Sequence, residues 1–412
     1  MSFQQGLSGL SAASKNLDVI GNNVANSTTA GFKQAYAVFS DMSVAASMGA
    51  SGAQVGIGTQ VTSVNQQFSQ GAITVSNNPL DVAISGQGFL RMSNNGAISY
   101  TRNGGFSLDK NSFVVGPGGQ NLTGYQAVKG AIVPNVLVNL QLSTADQAPR
   151  ATSGTTIGAN LAASEPKLPA TGLKVTDPKT YNFSTASTAY DSLGVAHTVT
   201  FYFNKEDPAT TPNSWTSSVY VDGAAVLAAD GGVTLLNFDN AGAFKAATPA
   251  GSVKVLGTAL GTGAADLSVA VDYSAMTQFS SAFGVTALSQ NGTASGTLSS
   301  YSIDSQGVIF GKYTNGQNLT LGQIALSNFT NTQGLLASGD GMWLETALSG
   351  PPLVGIPGTA SLGLLQSSAR EDSNVDLTAE LVNMITAQRV YQANAQSIKT
   401  QDQLMQTMVN LK

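Results

Sequence analysis

Residues 373–412, SNVDLTAELVNMITAQRVYQANAQSIKTQDQLMQTMVNLK, contain no Gly and no Pro, although the whole chain of 412 residues carries 45 Gly and 13 Pro. A stretch so free of helix breakers is predicted to form one long helix. Its apolar residues Leu377, Leu381, Met384, Tyr391, Ala395, Ile398, Met405 and Val409 follow the alternating steps of four and three that make a coiled-coil seam. At about 1.5 Å per residue the helix reaches roughly 60 Å, with no compact core of its own to lie against. Its partner must come from elsewhere in this chain or from another chain. Ser373-Asn-Val-Asp376 has the Ser-x-x-acid form of a capping box and sets the expected start, with Glu371-Asp372 just before it favouring the helix dipole. Polar Gln388 and Asp402 fall on the seam. They either suit interdigitation with several neighbours or are imperfections with no role.

The opposite end supplies a candidate partner. Phe3, Leu7, Leu10, Leu17 and Val24 keep the same spacing, with Ser14 and Gly21 in the remaining seam positions. Gly6, Gly9 and Gly21 each cost roughly 1 kcal/mol of helix stability, so this helix is expected to order only on mutual packing or assembly. The alternative is two ordinary amphipathic helices capping one globular core.

The composition narrows the function. Charged residues are 10% of the chain against about 25% in an average soluble protein, and 42% are hydrophobic, so neutral polar side chains cover much of the surface. Net charge is -5 with no Lys/Arg cluster, which argues against nucleic acid or an anionic membrane as partner. The chain has no Cys, which excludes disulfides, thiolate metal sites and a Cys nucleophile. The N-terminus lacks the basic and apolar regions of a signal peptide, and no run of about 20 apolar residues spans a membrane. Export, if it occurs, uses another route.

The first helix is expected to end near Gly21 to Ala25, before a short helical or irregular piece to about Met48. Gly49, Gly52, Gly56 and Gly58 then mark either a plain flexible linker or a hinge. From about Val61 the pattern changes to period two. Ile73–Val75, Leu80–Ile84, Phe89–Met92 and Phe113–Val115 are strand-like, as are His197–Phe203, Ser218–Val221, Val253–Val255 and Leu267–Val271. Clear strands resume at Tyr301–Ile303, Val308–Phe310 and Ile324–Leu326. If the terminal helices pair, connectivity nests each layer inside the last. The fold class is then α+β and multidomain, with paired, coiled-coil-like terminal helices and two nested, discontinuous, mainly-β domains. The expected divisions are 1–30 with 371–412, a connecting segment 31–70 with 358–370, an inner β domain 71–145 with 285–357, and an outer β domain 146–284.

No catalytic, cofactor-binding or metal site emerges. The only histidine, His197, alternates onto one face with Val199, Phe201 and Phe203 and reads as a strand-end residue at a β core; a Ser-His-Asp site with Asp191 lacks a nucleophile elbow. Gly307–Lys312 is one residue short of a phosphate loop, and Tyr313 stands where Ser or Thr is needed. Asp109 and Asp304 open turns without the downstream Glu of a calcium loop. A β-rich secreted adhesin and a carbohydrate-active enzyme with an unrecognised carboxylate pair remain as contrasting classes.

Gly6-Leu-Ser-Gly-Leu-Ser-Ala-Ala-Ser-Lys-Asn-Leu-Asp-Val-Ile-Gly-Asn-Asn-Val-Ala-Asn-Ser-Thr-Thr-Ala-Gly-Phe-Lys33 resembles the N-terminal signature of the bacterial flagellar rod and hook proteins. Asn78–Phe89 and Tyr100–Phe106 are similar to further blocks of that family, and Leu381–Lys399 is similar to its C-terminal helix. The long central insertion and the Tyr190–Thr200 segment resemble the hook branch, while residues 205–275 remain generic. The resemblance implies an extracellular, curved and flexible tube of identical copies that carries torque from motor to filament. It also implies passage through the flagellar type III export apparatus, and contact with distal rod, hook cap and hook-filament junction proteins. A distal rod or junction subunit is the alternative within the family.

Overall fold

The computed structural model describes residues 2–42, 56, 58–128, 130–168, 172–249, 251–255 and 257–410. They form two compact units, one from 1–144, 300–312 and 318–412, the other from 145–299 with 313–317.

The first unit contains both terminal helices, Ser2–Ala25 and Leu377–Asn410. They pack antiparallel, with Gly6 beside Ile398, Gly9 beside Asn394 and Asn23 bonded to Glu380. The C-terminal helix starts at Leu377, later than the capping box suggests. Asp376 is its cap, its Oδ1 accepting from the backbone N–H groups of Thr378 at 2.9 Å and Ala379 at 3.1 Å. Ser373 Oγ accepts only from Val375 N.

Of the piece expected to be helical or irregular up to Met48, Ala35–Met42 is instead a strand, and 43–48 lie outside the described residues. Ala35–Met42 pairs antiparallel with Gly58–Gln66, and the hairpin lies along the N-terminal helix. Gln5 Nε2 donates to Gly56 O at 2.5 Å, and Ser8 Oγ accepts from Thr59 N at 3.3 Å. β-Branched and aromatic residues at Tyr36, Val38 and Phe39 suit an extended chain, and the partner strand supplies hydrogen bonds that the isolated segment lacks. Of the expected hinge glycines, Gly58 begins the second strand and Gly56 borders it, whereas Gly49 and Gly52 lie outside the described residues.

The β part of this unit joins strands from both halves of the sequence. Val308–Tyr313, Asn318–Ile324, Asn121–Val128, Phe89–Asn94 and Ala97–Thr101 are successive neighbours in one sheet. Smaller pairs join Leu364–Ser367 to Val82–Ser85, and Ala369–Glu371 to Ile73–Val75. Val82, Ile84, Leu90, Leu122, Leu140, Leu326 and neighbours form its core. A second cluster stacks Phe89, Tyr100, Phe329 and Trp343 edge to face.

The second unit packs two sheets over one core. Phe183–Tyr190, Ala196–Lys205, Ser214–Val221, Val233–Phe238 and Phe244–Thr248 form one; Ser252–Val255, Leu267–Asp272, Gly154–Asn160 and Gly284–Gln290 form the other. Trp215, Phe201, Phe203, Leu236 and Ile157 are buried between them. The fold is therefore α+β, with paired terminal helices and two nested, discontinuous, mainly-β bodies.

Candidate self-association site

The two terminal helices meet along small and polar residues. A Cβ added to Gly6 would stand 2.9 Å from Ile398 Cγ1, and one added to Gly9 would stand 2.9 Å from the Asn394 side chain. These glycines cost helix propensity but let the backbones approach; Gly21, with nothing within 4 Å, has no such role. Ala13 and Ile20 are buried on the N-terminal helix, as is Ala387 on the other. Glu380, 3% exposed, accepts from Asn23 Nδ2 at 3.2 Å and Gln34 Nε2 at 2.7 Å, and sits in the first helical turn where the dipole favours an anion. Asn23 also exchanges two hydrogen bonds with the backbone of Ala35, tying the hairpin to the same point.

The inner stripe of the C-terminal helix thus runs through Glu380, Ala387, Asn394 and Ile398. It shares Ile398 with the sequence-derived seam but is turned one position away from Leu381, Gln388 and Ala395; Tyr391 is 37% exposed. On the N-terminal helix the contact stripe of Gly6, Gly9, Ala13, Ile20 and Asn23 is likewise offset by one position from Phe3, Leu7, Leu10, Leu17 and Val24. One position is about 100° on a helix, so each helix turns a different face outward. Phe3 and Leu7 are each 52% exposed, and Leu377 and Leu381 each 45%; Leu10, Leu17, Val24, Met384 and Ile398 are half-buried.

The C-terminal helix also overhangs. Because Gly6 meets Ile398, the described part of its partner runs alongside it only to the turn containing Asp402. Beyond it, Leu404, Met405 and Val409 are 60, 63 and 72% exposed. Beside the helix pair, a groove of about 490 Å³ is lined by Ala12, Val19, Tyr36, Phe39 and Val390 among others. Arg389, Gln392, Gln396, Lys399 and Gln403 make a separate exposed polar stripe.

A buried ion cluster fastens the helices to the β body. Glu371, expected to serve the helix dipole, is instead fully buried: Oε1 accepts from Lys33 Nζ at 2.6 Å and Gly71 N at 2.9 Å, and Oε2 from Arg102 Nη1 at 3.2 Å. Lys33 also donates to Ser69 O at 2.7 Å, and Arg102 to Gly86 O at 2.9 Å. Burial pulls the Lys33 ammonium below its usual value, with Glu371 acting against it and Arg102 adding to it. Gly31, at φ +72°, passes so close to Arg102 and Asn103 that a Cβ would stand 2.5 Å from Asn103 N. Next to the cluster Arg370 grips Asp81 at 2.6 Å and 3.2 Å, while Ser76 and Asn78 bond the same carboxylate. Four sequence blocks, Gly31–Lys33, Asn78–Asp81, Arg102–Gly105 and Arg370–Glu371, therefore meet at one place. Pattern reading missed Lys33, Arg102, Glu371 and Glu380. The available signal was their rarity, as charges in a chain where only 10% of residues carry one.

Comparison with known proteins places this arrangement. Family profiles match residues 3–33 (Flagella basal body rod protein), 83–157 (Flagellar hook protein FlgE/F/G D1 domain), 160–293 (Flagellar basal body protein FlaE D2 domain) and 366–411 (Flagellar basal body rod FlgEFG protein C-terminal). The chain is thus of the flagellar rod and hook class, and the 160–293 match includes the segment that sequence patterns left generic. It is 41% identical to the flagellar hook protein FlgE of Salmonella typhimurium and 40% to that of Escherichia coli K12, over all of both chains in each case. The Borreliella burgdorferi hook protein is 32% identical over 100% of this chain and 99% of its own. The crystal structure of Helicobacter pylori FlgE2 shares the fold at TM-score 0.51 and 15% identity, covering 73% of this chain and 99% of that one. The chain belongs to the flagellar hook protein FlgE family and is a structural subunit of the flagellar hook. No described helix is long and apolar enough to cross a membrane.

Proposed function

We propose that copies of this chain assemble into a curved, flexible tube outside the cell that carries torque from rod to filament. The overhanging apolar end of the C-terminal helix carries the reading. Leu404, Met405 and Val409 continue past the N-terminal helix with nothing of this chain over them among the described residues, so burying them takes another copy. The self-association residues are Phe3, Leu7, Leu10, Leu17, Val24, Leu377, Leu381, Met384, Tyr391, Ile398, Met405 and Val409. Their outward members face neighbouring copies, while Met384, Tyr391 and Ile398 divide their surface between partner helix and neighbour. The groove edged by Tyr36 and Phe39 receives apolar side chains from the next copy, and the polar stripe through Gln396 faces the lumen.

In this reading residues 1–30 with 371–412 form the inner tube and 31–70 with 358–370 connect it to an inner β domain of 71–145 with 285–357, of which 285–299 folds with the second unit. Residues 146–284 form the outer domain, and bending uses the glycine segment Gly49, Gly52, Gly56 and Gly58. Neutral polar lateral surfaces support the reading, because water remakes such contacts as copies slide. The subunit leaves the cell through the flagellar type III export apparatus and meets distal rod, hook cap and hook-filament junction proteins at the ends of the tube. Electron microscopy of concentrated purified protein tests the assembly: curved, superhelical tubes are expected. Straight rods, or monomers at every concentration, contradict it.

A further inference from the structure

The single histidine of the chain sits with both ring nitrogens against carboxylates. His197 Nδ1 lies 2.6 Å from Asp222 Oδ2, and Nε2 lies 3.4 Å from Asp191 Oδ2. A neutral imidazole has one N–H and one lone pair, so either tautomer would aim its lone pair at a carboxylate oxygen. Only the imidazolium donates to both. The ring and Asp191 are buried, whereas half of the Asp222 side chain is exposed, so water reaches the cluster through Asp222.

Asp191 gathers three segments. Its Oδ1 accepts from Leu193 N at 2.9 Å and Val195 N at 2.8 Å, shaping the turn before the strand that carries His197. Its Oδ2 accepts from Thr262 Oγ1 at 2.7 Å, and Ser192 Oγ accepts from Ala265 N at 3.0 Å, which fastens the 257–266 loop. Asp222 Oδ1 accepts from Thr198 N at 2.8 Å and fastens the turn after Ser214–Val221. The carboxylates lie on opposite edges of the ring, so the three groups do not converge on a point as metal ligands do, and no cluster among the described residues could hold a metal ion. Of the other charges nearby, Asp230 and Lys254 line the cleft beside Asp222, and Lys254 pairs with Asp266 at 3.4 Å. Asp191 and Asp222 are the charges that act on the ring itself.

We propose that His197 is a pH-sensitive latch: as the imidazolium it clamps Asp191 to Asp222 and holds the 257–266 loop and the Asp222 turn closed, and on losing its proton it releases them. Burial alone pulls the ring down, but the hydrogen bonds and charges of Asp222 and Asp191 outweigh it and hold His197 above its ordinary 6.5. Burial pushes Asp191 and Asp222 up; their hydrogen bonds, chiefly from Thr262 and His197 respectively, hold both below 3.8. The histidine contribution is complete below 6.5 and is lost as pH rises through its higher folded value. The carboxylate contributions are complete above 3.8 and are lost as pH falls through their lowered values. The latch is closed at pH 6.5 and opens as pH rises through the raised value of the ring.

The unassembled chain suffices for the test, which makes it independent of the self-assembly reading. With one histidine, its imidazole NMR signals need no assignment variants. Both ring nitrogens should be protonated at pH 6.5, with a titration midpoint above that value. Amide exchange at Leu193, Val195 and Ala265, corrected for its intrinsic pH dependence, should accelerate across the midpoint, by about tenfold for each unit by which the midpoint is raised. In His197→Gln, exchange should be fast at every pH with no step. A ring neutral at pH 6.5, an absent step in the native chain, or a step persisting in His197→Gln overturns the proposal. The measurements on the native chain decide it even if the variant does not fold.

Discussion

Replacing Glu371 with Gln tests the anchor between helices and β body. The carboxylate is fully buried and faces two buried cations, Lys33 and Arg102, with side chains 0 and 4% exposed. Gln keeps the shape, removes the charge, and turns an amide N–H₂ toward groups that only donate. Breaking a buried pair from one side costs about 3–5 kcal/mol, a large part of the roughly 5–15 kcal/mol that holds a domain folded. For a unit of this size that is a fall in Tm of roughly 6–20 °C. Lys33→Met should cost less, about 1–3 kcal/mol, because it leaves Glu371 and Arg102 as a matched pair. The chain has two tryptophans, Trp343 in the unit that holds the cluster and Trp215 in the other. Denaturation followed by Trp343 fluorescence in a Trp215→Phe background, and the converse, reads each unit separately. The Trp343 transition should move and the Trp215 transition should stay. A Glu371→Gln cost below about 0.5 kcal/mol, or one smaller than that of Lys33→Met, would show that the buried carboxylate does not anchor the helices.

Three further outcomes follow from other contacts. Gly21→Ala should stabilise the N-terminal helix by about 1 kcal/mol, whereas Gly9→Ala should lose that gain to the Asn394 overlap; thermal melts of the two variants check the difference. Burial pushes Asp81 up, but Arg370, Ser76 and Asn78 hold it below 3.8, so its contribution is complete above that value and is lost as pH falls through the lowered one. Acid titration of stability should show Asp81→Asn about 1–3 kcal/mol weaker at pH 7, with the difference closing toward pH 2. Deleting residues 373–412 should abolish tubes while both tryptophan transitions survive; loss of cooperative melting would contradict the nested arrangement.

The long terminal helix was legible because a Gly- and Pro-free run leaves the backbone few alternatives. Its rotational phase was not. A search for large apolar residues selects Leu381 and Leu7, while the intrachain contact uses Gly6, Gly9, Ala13 and Ala387, which read as weak or neutral positions. Alternation put His197, Val199, Phe201 and Phe203 on one buried face, as found. It could not show the carboxylates at both edges of the ring, because Asp222 comes from another strand end. The strand Ala35–Met42 was missed for a similar reason: its partner begins at Gly58, across a glycine-rich segment that gives no pairing signal. Glu371 lay beside a helix start in sequence, but its cations lie 338 and 269 residues away. Local pattern carries no information at that distance.

The central claim is that the terminal helices close on each other through one face and bind other copies through another. The absence of native cysteine allows a direct measurement: single cysteines at Leu381, Met405 and Val409, and at Gln396 on the polar stripe, labelled with maleimide before and after polymerisation. The first three should react readily in the free chain and be protected at least about tenfold in the polymer, while Gln396→Cys stays reactive. Equal labelling of Leu381→Cys, Met405→Cys and Val409→Cys in free and assembled protein would contradict the central claim.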